Sequence, residues 1–187
     1  MGCRTKHFKT VCRHKWYVFK QCCGCCMPIM GLKHDLSKFS FAEFAPSARY
    51  FQGDKSPIEA EKASVGYSKA WLHHKGHNPH HWEWWCDFGK NGEVIPCKIP
   101  YKYVVEMVCD YIGAGMAYEK EDWNRMSPLR YYQKVRKGRY FHPETEELIL
   151  FFLEKVATDG LVAFHRVARL KDTRTTYEAR KSGKTPS

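Results

Sequence analysis

Histidine is concentrated in one short stretch of this chain. Five of the nine residues from position 73 to position 81 are histidine, namely His73, His74, His77, His80 and His81. A His34-Asp35 pair lies upstream of them. Imidazole and carboxylate groups together are the donors with which proteins hold transition metals. Neither a packed core nor a solvated face needs so many imidazoles, so the sequence predicts a metal site.

Seven residues are the candidate metal ligands. An adjacent His and Asp at a helix end can direct donors of different hardness toward one centre, and the Asp can bridge two ions. Another carboxylate lies at the centre of the apolar helix predicted over 104–117, where burial without a partner is costly. The candidates in chain order are His14, His34, Asp35, His74, His80, His81 and Asp110. We interpret His77 as a donor to another ligand or as a surface residue.

The candidate donors are all nitrogen and oxygen, which favours Fe, Mn, Zn or Ni over a thiolate site. Two divalent ions about 3.5–4 Å apart would lower the pKa of a bridging water and hold both ends of an in-line displacement. Lys38 shares the face of His34 and Asp35 if their helix continues, and its charge would stabilise a phosphate oxygen. Asp35 and Lys38 are therefore the predicted catalytic residues. The candidate phosphate contacts are Lys38, Lys33, Arg125 and Arg130.

Apolar periodicity predicts helices almost throughout the chain. Ser40 and Glu43 have the spacing of a capping box. Asn78 is the predicted cap of a further helix, whose first turn would hold His80 and His81 with side chains about 100° apart. Asn91-Gly92 predicts one small β-hairpin. The predicted helices span 10–21, 27–36, 40–50, 56–75, 101–118, 128–137, 143–157 and 160–170.

The length of 187 residues fits one domain, predicted over 1–171, followed by a basic flexible tail over 172–187. The net charge of +11 resides at the two ends, because residues 1–30 carry six Lys or Arg and no acid. Basic ends of this kind either bind nucleic acid weakly or only keep the protein soluble. No apolar run reaches the roughly 18 residues of a membrane span, so we expect no membrane partner and a cytoplasmic location. The Cys22–Cys26 run is either a zinc-binding pair or a group of buried and exposed thiols.

The ligand pattern resembles the HD superfamily of metal-dependent phosphohydrolases, in which His, His-Asp and a later Asp come from separate helices of a bundle. Two segments are similar to elements of the HD-GYP phosphodiesterases. The His-Asp-x-x-Lys element is matched by His34-Asp35-Leu36-Ser37-Lys38. The His-His-Glu element is similar to His80-His81-Trp82-Glu83, in which Trp82 is an inserted residue. The Gly-Tyr-Pro element is absent, and Trp84-Trp85 follows instead. The same segments, within roughly residues 10–125, also resemble an uncharacterised family of small bacterial and phage proteins.

The resemblance implies an all-α, HD-like bundle, and the extra histidines resemble those of branches with two or three metal ions, of which we expect two. It favours hydrolysis of a small phosphorylated substrate, and among such substrates a nucleotide or cyclic nucleotide. A di-iron oxygenase of the myo-inositol oxygenase type resembles the same superfamily and is the first alternative. A metal-stabilised module that binds nucleic acid through its basic ends is the second alternative. The sequence leaves the metal, the substrate and the oligomeric state open.

Overall fold

The computed structural model describes residues 3–53 and 56–180. The predicted all-α fold with one small hairpin is confirmed. Strands β1 (Cys86–Phe88) and β2 (Val94–Pro96) pair antiparallel around the Asn91-Gly92 turn. The helices are α1 (Cys3–Gly24), α2 (Pro28–Lys33), α3 (Phe41–Tyr50), α4 (Pro57–Val65), α5 (Lys69–Lys75), α6 (Tyr101–Glu119), α7 (Ser127–Val135), α8 (Pro143–Asp159), α9 (Leu161–Arg169) and α10 (Lys171–Ala179).

The close packing of α1 against α6 forms the centre of the fold. Gly113 of α6 makes this approach possible, since a Cβ there would lie 2.5 Å from a side-chain methyl of Val18 and 2.9 Å from its backbone nitrogen. Val104, Val108 and Ile112 are fully buried along the same helix, and each such side chain stabilises the fold by about 1.5–3 kcal/mol. The approach also brings His14 of α1 toward Asp110 of α6.

The helix predicted over 56–75 is two helices in the structure. Gly66 adopts a left-handed conformation with φ 85° and ends α4, as glycine does at many helix C-termini. Ser68 then begins α5 by accepting a hydrogen bond from the backbone N–H of Trp71 at 2.9 Å. This break turns α5 toward α3 and places His74 on a buried face.

The prediction that a helix starts at Asn78 is wrong for residues 78–81. These residues form turns and a bend, and a 3₁₀ helix follows at Trp82–Trp85. Asn78 does not cap a helix, because its amide donates to the backbone oxygen of His74 at 2.7 Å and to Ser37 Oγ at 2.8 Å. These bonds hold the 78–81 segment against the segment that carries the His34-Asp35 pair.

The sequence predicted a flexible tail from residue 172, but the structure is helical up to Ala179. Helix α10 covers this part, and its Tyr177 is buried and donates a hydrogen bond to the backbone oxygen of Ile99 at 2.6 Å. Lys98 donates to the carbonyls of Tyr177 and Arg180 at 2.6 Å each, which satisfies groups at the end of the helix. The rest of the predicted tail, residues 181–187, lies outside the described residues.

Within the described part of the chain, no helix combines the length and apolarity that crossing a membrane requires.

Candidate metal centre

The structure brings all seven predicted ligands together in two groups that share Asp35. Within each group, the donor atoms lie within 4.8 Å of one another. The first group draws on α1, the His34-Asp35 corner and α6, and the second combines Asp35 with α5 and the 78–81 segment. The groups are His14, His34, Asp35 and Asp110, and then Asp35, His74, His80 and His81.

The two carboxylate oxygens of Asp35 face different groups. Oδ2 lies 3.2 Å from His14 Nε2 and 3.3 Å from His34 Nε2. Oδ1 lies 3.4 Å from His74 Nε2 and 3.5 Å from His80 Nε2. Two donors that are each about 2.0–2.1 Å from one tetrahedral ion lie about 3.3 Å apart. The spacing therefore suits ligands around two ions, with Asp35 between them.

A break in the backbone allows His34 and Asp35 to point to one place. Consecutive helical residues project about 100° apart, but α2 ends at Lys33 and His34 is extended, with φ −49° and ψ 127°. Asp35 then adopts the left-handed conformation, with φ 53° and ψ 27°, which Asp tolerates better than most residues. Lys15 holds this corner by donating to the carbonyl oxygens of Leu32 and His34 at 2.7 Å each.

Several buried donor and acceptor atoms at this centre have no hydrogen-bond partner among the described residues. Burying such atoms unpaired costs about 1–3 kcal/mol each. They belong to both groups and include one carboxylate oxygen of the shared residue. The atoms are His34 Nε2, Asp35 Oδ1, His80 Nε2 and His81 Nε2. Coordination of metal ions would satisfy these atoms, so the residues present fit the predicted two ions.

Two glutamates to which the sequence assigned no role at the metal site orient the histidines. Glu106 Oε1 lies 3.0 Å from His34 Nδ1 and 3.4 Å from His80 Nδ1. Each contact engages Nδ1 and leaves Nε2 facing Asp35. Carboxylates in this position fix the orientation of a metal-binding imidazole and raise its basicity. Glu106 is four residues before Asp110 in the largely apolar stretch 104–117, and this i, i+4 spacing was the available signal.

Glu43 orients one histidine of the second group, His74, and also its neighbour His73. Its two oxygens lie 2.8 Å from His73 Nδ1 and 2.9 Å from His74 Nδ1. The capping box predicted for Ser40 and Glu43 is therefore wrong, and the Ser40 side chain forms no capping hydrogen bond. The tertiary contact between α3 and α5 directs the Glu43 carboxylate to the histidines instead. His77 is exposed and stacks on His73, with ring centroids 4.0 Å apart.

We expect Glu106→Gln to weaken metal binding by about tenfold to a hundredfold. The amide keeps the volume of the side chain but removes the charge that supports the imidazoles of His34 and His80. Competition with a chromophoric chelator would measure the dissociation constants. Glu154→Gln, exposed on α8, is the charge-matched control. Equal affinities in the two variants would show that Glu106 does not support the ligands.

The charges at the centre perturb one another strongly. Burial acts to lower the pKa of His34, but the charges of Asp35, Asp110 and Glu106 outweigh it and raise that pKa well above the usual value. Burial likewise opposes ionisation of Asp35, yet His34 and Lys38 hold the pKa of Asp35 well below its usual range. The surrounding carboxylates therefore favour the protonated form of His34 when no metal is bound, and metal binding has to displace that proton.

Lys38 lies beside the shared carboxylate. Its Nζ is 2.5 Å from Asp35 Oδ2, and about 30% of its side chain is exposed. Burial opposes the charged form, but Asp35 and Asp110 outweigh it and raise the pKa of Lys38. The α-helix on which the prediction for Lys38 depended does not continue past Lys33. Lys38 reaches Asp35 from the 3₁₀ helix Leu36–Phe39 instead.

A cleft with a volume of about 680 Å³ opens onto the centre. Metal-ligand candidates and Lys38 line one part of it, together with aromatic side chains that include Trp71, Tyr118 and Tyr131. Three predicted phosphate contacts do not line this cleft: Lys33, Arg125 and Arg130 are all exposed elsewhere. Arg130 instead donates to Asn124 and Ser127. Arg139, which the sequence analysis missed, does line the cleft.

His7 is a further buried histidine near this cleft that the sequence analysis did not single out. It lies one helical repeat of seven residues before His14 on α1, between the rings of Phe44 and Phe51 at centroid distances of 5.2 and 5.0 Å. Burial, together with the charge of Lys38, lowers the pKa of His7 to about 4. His7 is therefore neutral near pH 7 and does not belong to either donor group.

Comparison with known proteins gives one family. Its model matches residues 3–155 and is described only as a family of unknown function, DUF5662. The matched range contains every candidate ligand as well as Glu43, Glu106 and Arg139. No curated protein and no solved structure matches the chain, so the resemblance to the HD superfamily stays a prediction. Because the family model covers most of the chain, the protein belongs to the DUF5662 family.

Proposed function

We propose that this protein is a metal-dependent phosphohydrolase acting on a nucleotide or another small phosphorylated substrate. The observation that carries the proposal is the position of Asp35, whose two oxygens face separate donor groups while Lys38 lies 2.5 Å away. A carboxylate shared by two ions and flanked by a cation suits a reaction in which negative charge develops on a phosphoryl group. The donor set supports Fe, Mn, Zn or Ni as the metal.

The residues around the centre have separable tasks. Lys38 would hold a phosphoryl oxygen beside Asp35, and Glu106 and Glu43 keep the imidazoles in place. Trp71 and Tyr118 line the cleft next to the centre. Their rings would cover the organic part of the substrate, and this covering would exclude water from the site. Two divalent ions, when bound, supply Lewis acidity and lower the pKa of a water. The cleft volume lies within the range of about 300–1,000 Å³ that is typical of small-molecule sites.

The test is phosphate release by metal-loaded protein whose metal content has been measured. We expect Mn²⁺- or Fe²⁺-dependent turnover of at least one compound in a panel of aryl phosphomonoesters and phosphodiesters, nucleotides and cyclic nucleotides. Lys38→Met should lower kcat/KM, because the cation beside the phosphoryl group is lost, whereas the exposed Lys33→Met should not. A fully loaded protein that releases phosphate from none of these compounds would overturn the proposal.

A di-iron oxygenase is the second candidate, and the specific observation in its favour is the donor set, which is made only of imidazoles and carboxylates. Such a centre suits iron as well as it suits hydrolytic metals. Oxygen uptake by the iron-loaded protein, together with a mixed-valent iron signal, would favour this candidate. The nucleic-acid hypothesis has less support, since Arg174 pairs with Glu178 and Arg180 with Glu147.

A further inference from the structure

Arg139 is a cation in the cleft that the proposed chemistry does not use. Its guanidinium lies over the ring of Tyr111, 5.5 Å from the centroid, and donates a hydrogen bond to the Tyr111 hydroxyl. Among the described residues it forms no ion pair with a carboxylate. Arg139 is only partly exposed, and a partly buried guanidinium without a counter-ion is costly unless an anion completes it.

Arg139 serves a different part of the cleft from the metal centre. Asp110 and Tyr111 are consecutive in α6 and therefore project about 100° apart. Asp110 points to the ligands, whereas Tyr111 points to Arg139 and to the ring of Tyr131, whose centroid is 5.8 Å away. The buried Tyr111 thus holds Arg139 at a fixed place away from the candidate ligands.

The backbone next to Arg139 borders open space. Gly138 also lines the cleft, and a Cβ built on it would meet no atom within 4 Å. Glu83 is the acidic residue whose charge acts on Arg139, together with the hydroxyl groups of Tyr111 and Tyr131. Glu83 also lines the cleft and is half-buried, but it lies beyond ion-pair distance from Arg139. Among the described residues, no carboxylate is therefore close enough to form an ion pair with Arg139.

We propose that Arg139 is a second anion-binding point in the cleft, so that the substrate carries a negatively charged group separate from the phosphoryl group at the metal centre. This inference rests on the proposed function, because it assumes that the first phosphate lies beside Asp35 and Lys38. The substrate class is then a compound with two separated anionic groups, such as a bisphosphate or a phosphorylated acid. Arg139 determines which phosphorylated compounds bind, and takes no part in the bond cleavage.

Binding of simple probes to the metal-loaded protein tests this inference without turnover. The probes are α,ω-alkanediol bisphosphates with two to six carbons, each compared with the alkyl monophosphate of the same length by calorimetry. We expect at least one spacing to bind about tenfold or more tightly than its monophosphate, which is the effect of a hydrogen bond between charged groups. Arg139→Gln should remove this difference and leave monophosphate binding unchanged, Arg139→Lys should keep part of it, and Arg125→Gln should keep all of it.

The outcomes separate this inference from the proposed function. A bisphosphate preference that persists in Arg139→Gln would belong to the metal ions and would overturn the inference, as would equal affinities or no binding in the wild type. Turnover without an Arg139-dependent preference would leave the phosphohydrolase proposal in place. An Arg139-dependent preference in a protein that hydrolyses no phosphate would support the anion site and overturn the hydrolase. Melting temperatures of the three variants check that each one is folded.

Discussion

Asp35→Asn is expected to remove the dinuclear centre. The asparagine keeps the size of the side chain and tolerates the left-handed backbone at this position, so the fold should survive. The neutral amide cannot bridge two cations, and the metal content measured by elemental analysis should fall from about two equivalents to one or fewer. Phosphate release should fall below detection, because both donor groups lose their common ligand.

Asp159→Asn is the matched control for this experiment. Asp159 is exposed at the end of α8 and pairs with Lys155 at 2.7 Å, so its replacement removes one carboxylate without touching the centre. The control should keep both its metal content and its activity. Two equivalents of metal in Asp35→Asn would mean that Asp35 is not the bridging ligand, and the arrangement proposed above would be wrong.

Metal loading is expected to raise the thermal unfolding midpoint by about 10 °C. The centre buries imidazoles and carboxylates whose donor atoms lack partners, and metal ions that bind only the folded chain stabilise it by mass action. At a free concentration about a thousandfold above the dissociation constant, one ion contributes about 4 kcal/mol. In a chain of this size, 1 kcal/mol shifts the midpoint by about 2–4 °C.

Differential scanning calorimetry of metal-loaded and chelator-treated protein would measure this shift. The shift should shrink as the pH is lowered, because His34 has a raised pKa and protons compete with metal for it. Asp35→Asn should show a much smaller shift than the wild type. If the loaded and chelated proteins melt at the same temperature, the histidine cluster does not hold stoichiometric metal.

Much of the fold followed from periodicity. The helices over 101–118 and 143–157 and the Asn91-Gly92 hairpin agree with the structure to within a few residues, because apolar spacing and turn chemistry are local properties. The errors fall where a distant residue competes with a local signal. Asn78 has the sequence of a helix cap, but its amide is bonded to Ser37, which is 41 residues away.

The candidate ligands could be chosen from the sequence because the ability to bind metal is a property of the side chain itself. His14, His34 and Asp110 are recognisable by type and position, whatever the final packing. Other residues of the site and its cleft were not recognisable in the same way. Glu43 and Arg139 belong to residue types that are usually solvated. Only the burial of Glu43 and the contact of Arg139 with Tyr111 distinguish them from other surface charges.

The sequence predicts the set of donors and the helices that carry most of them. The tertiary structure decided which donors face each other. It did so through the left-handed turn at Asp35 and the close approach of α1 to α6 at Gly113. Residue types and spacing describe each helix separately, whereas a metal centre depends on distances between helices, and those distances are set only when the side chains of the core pack together.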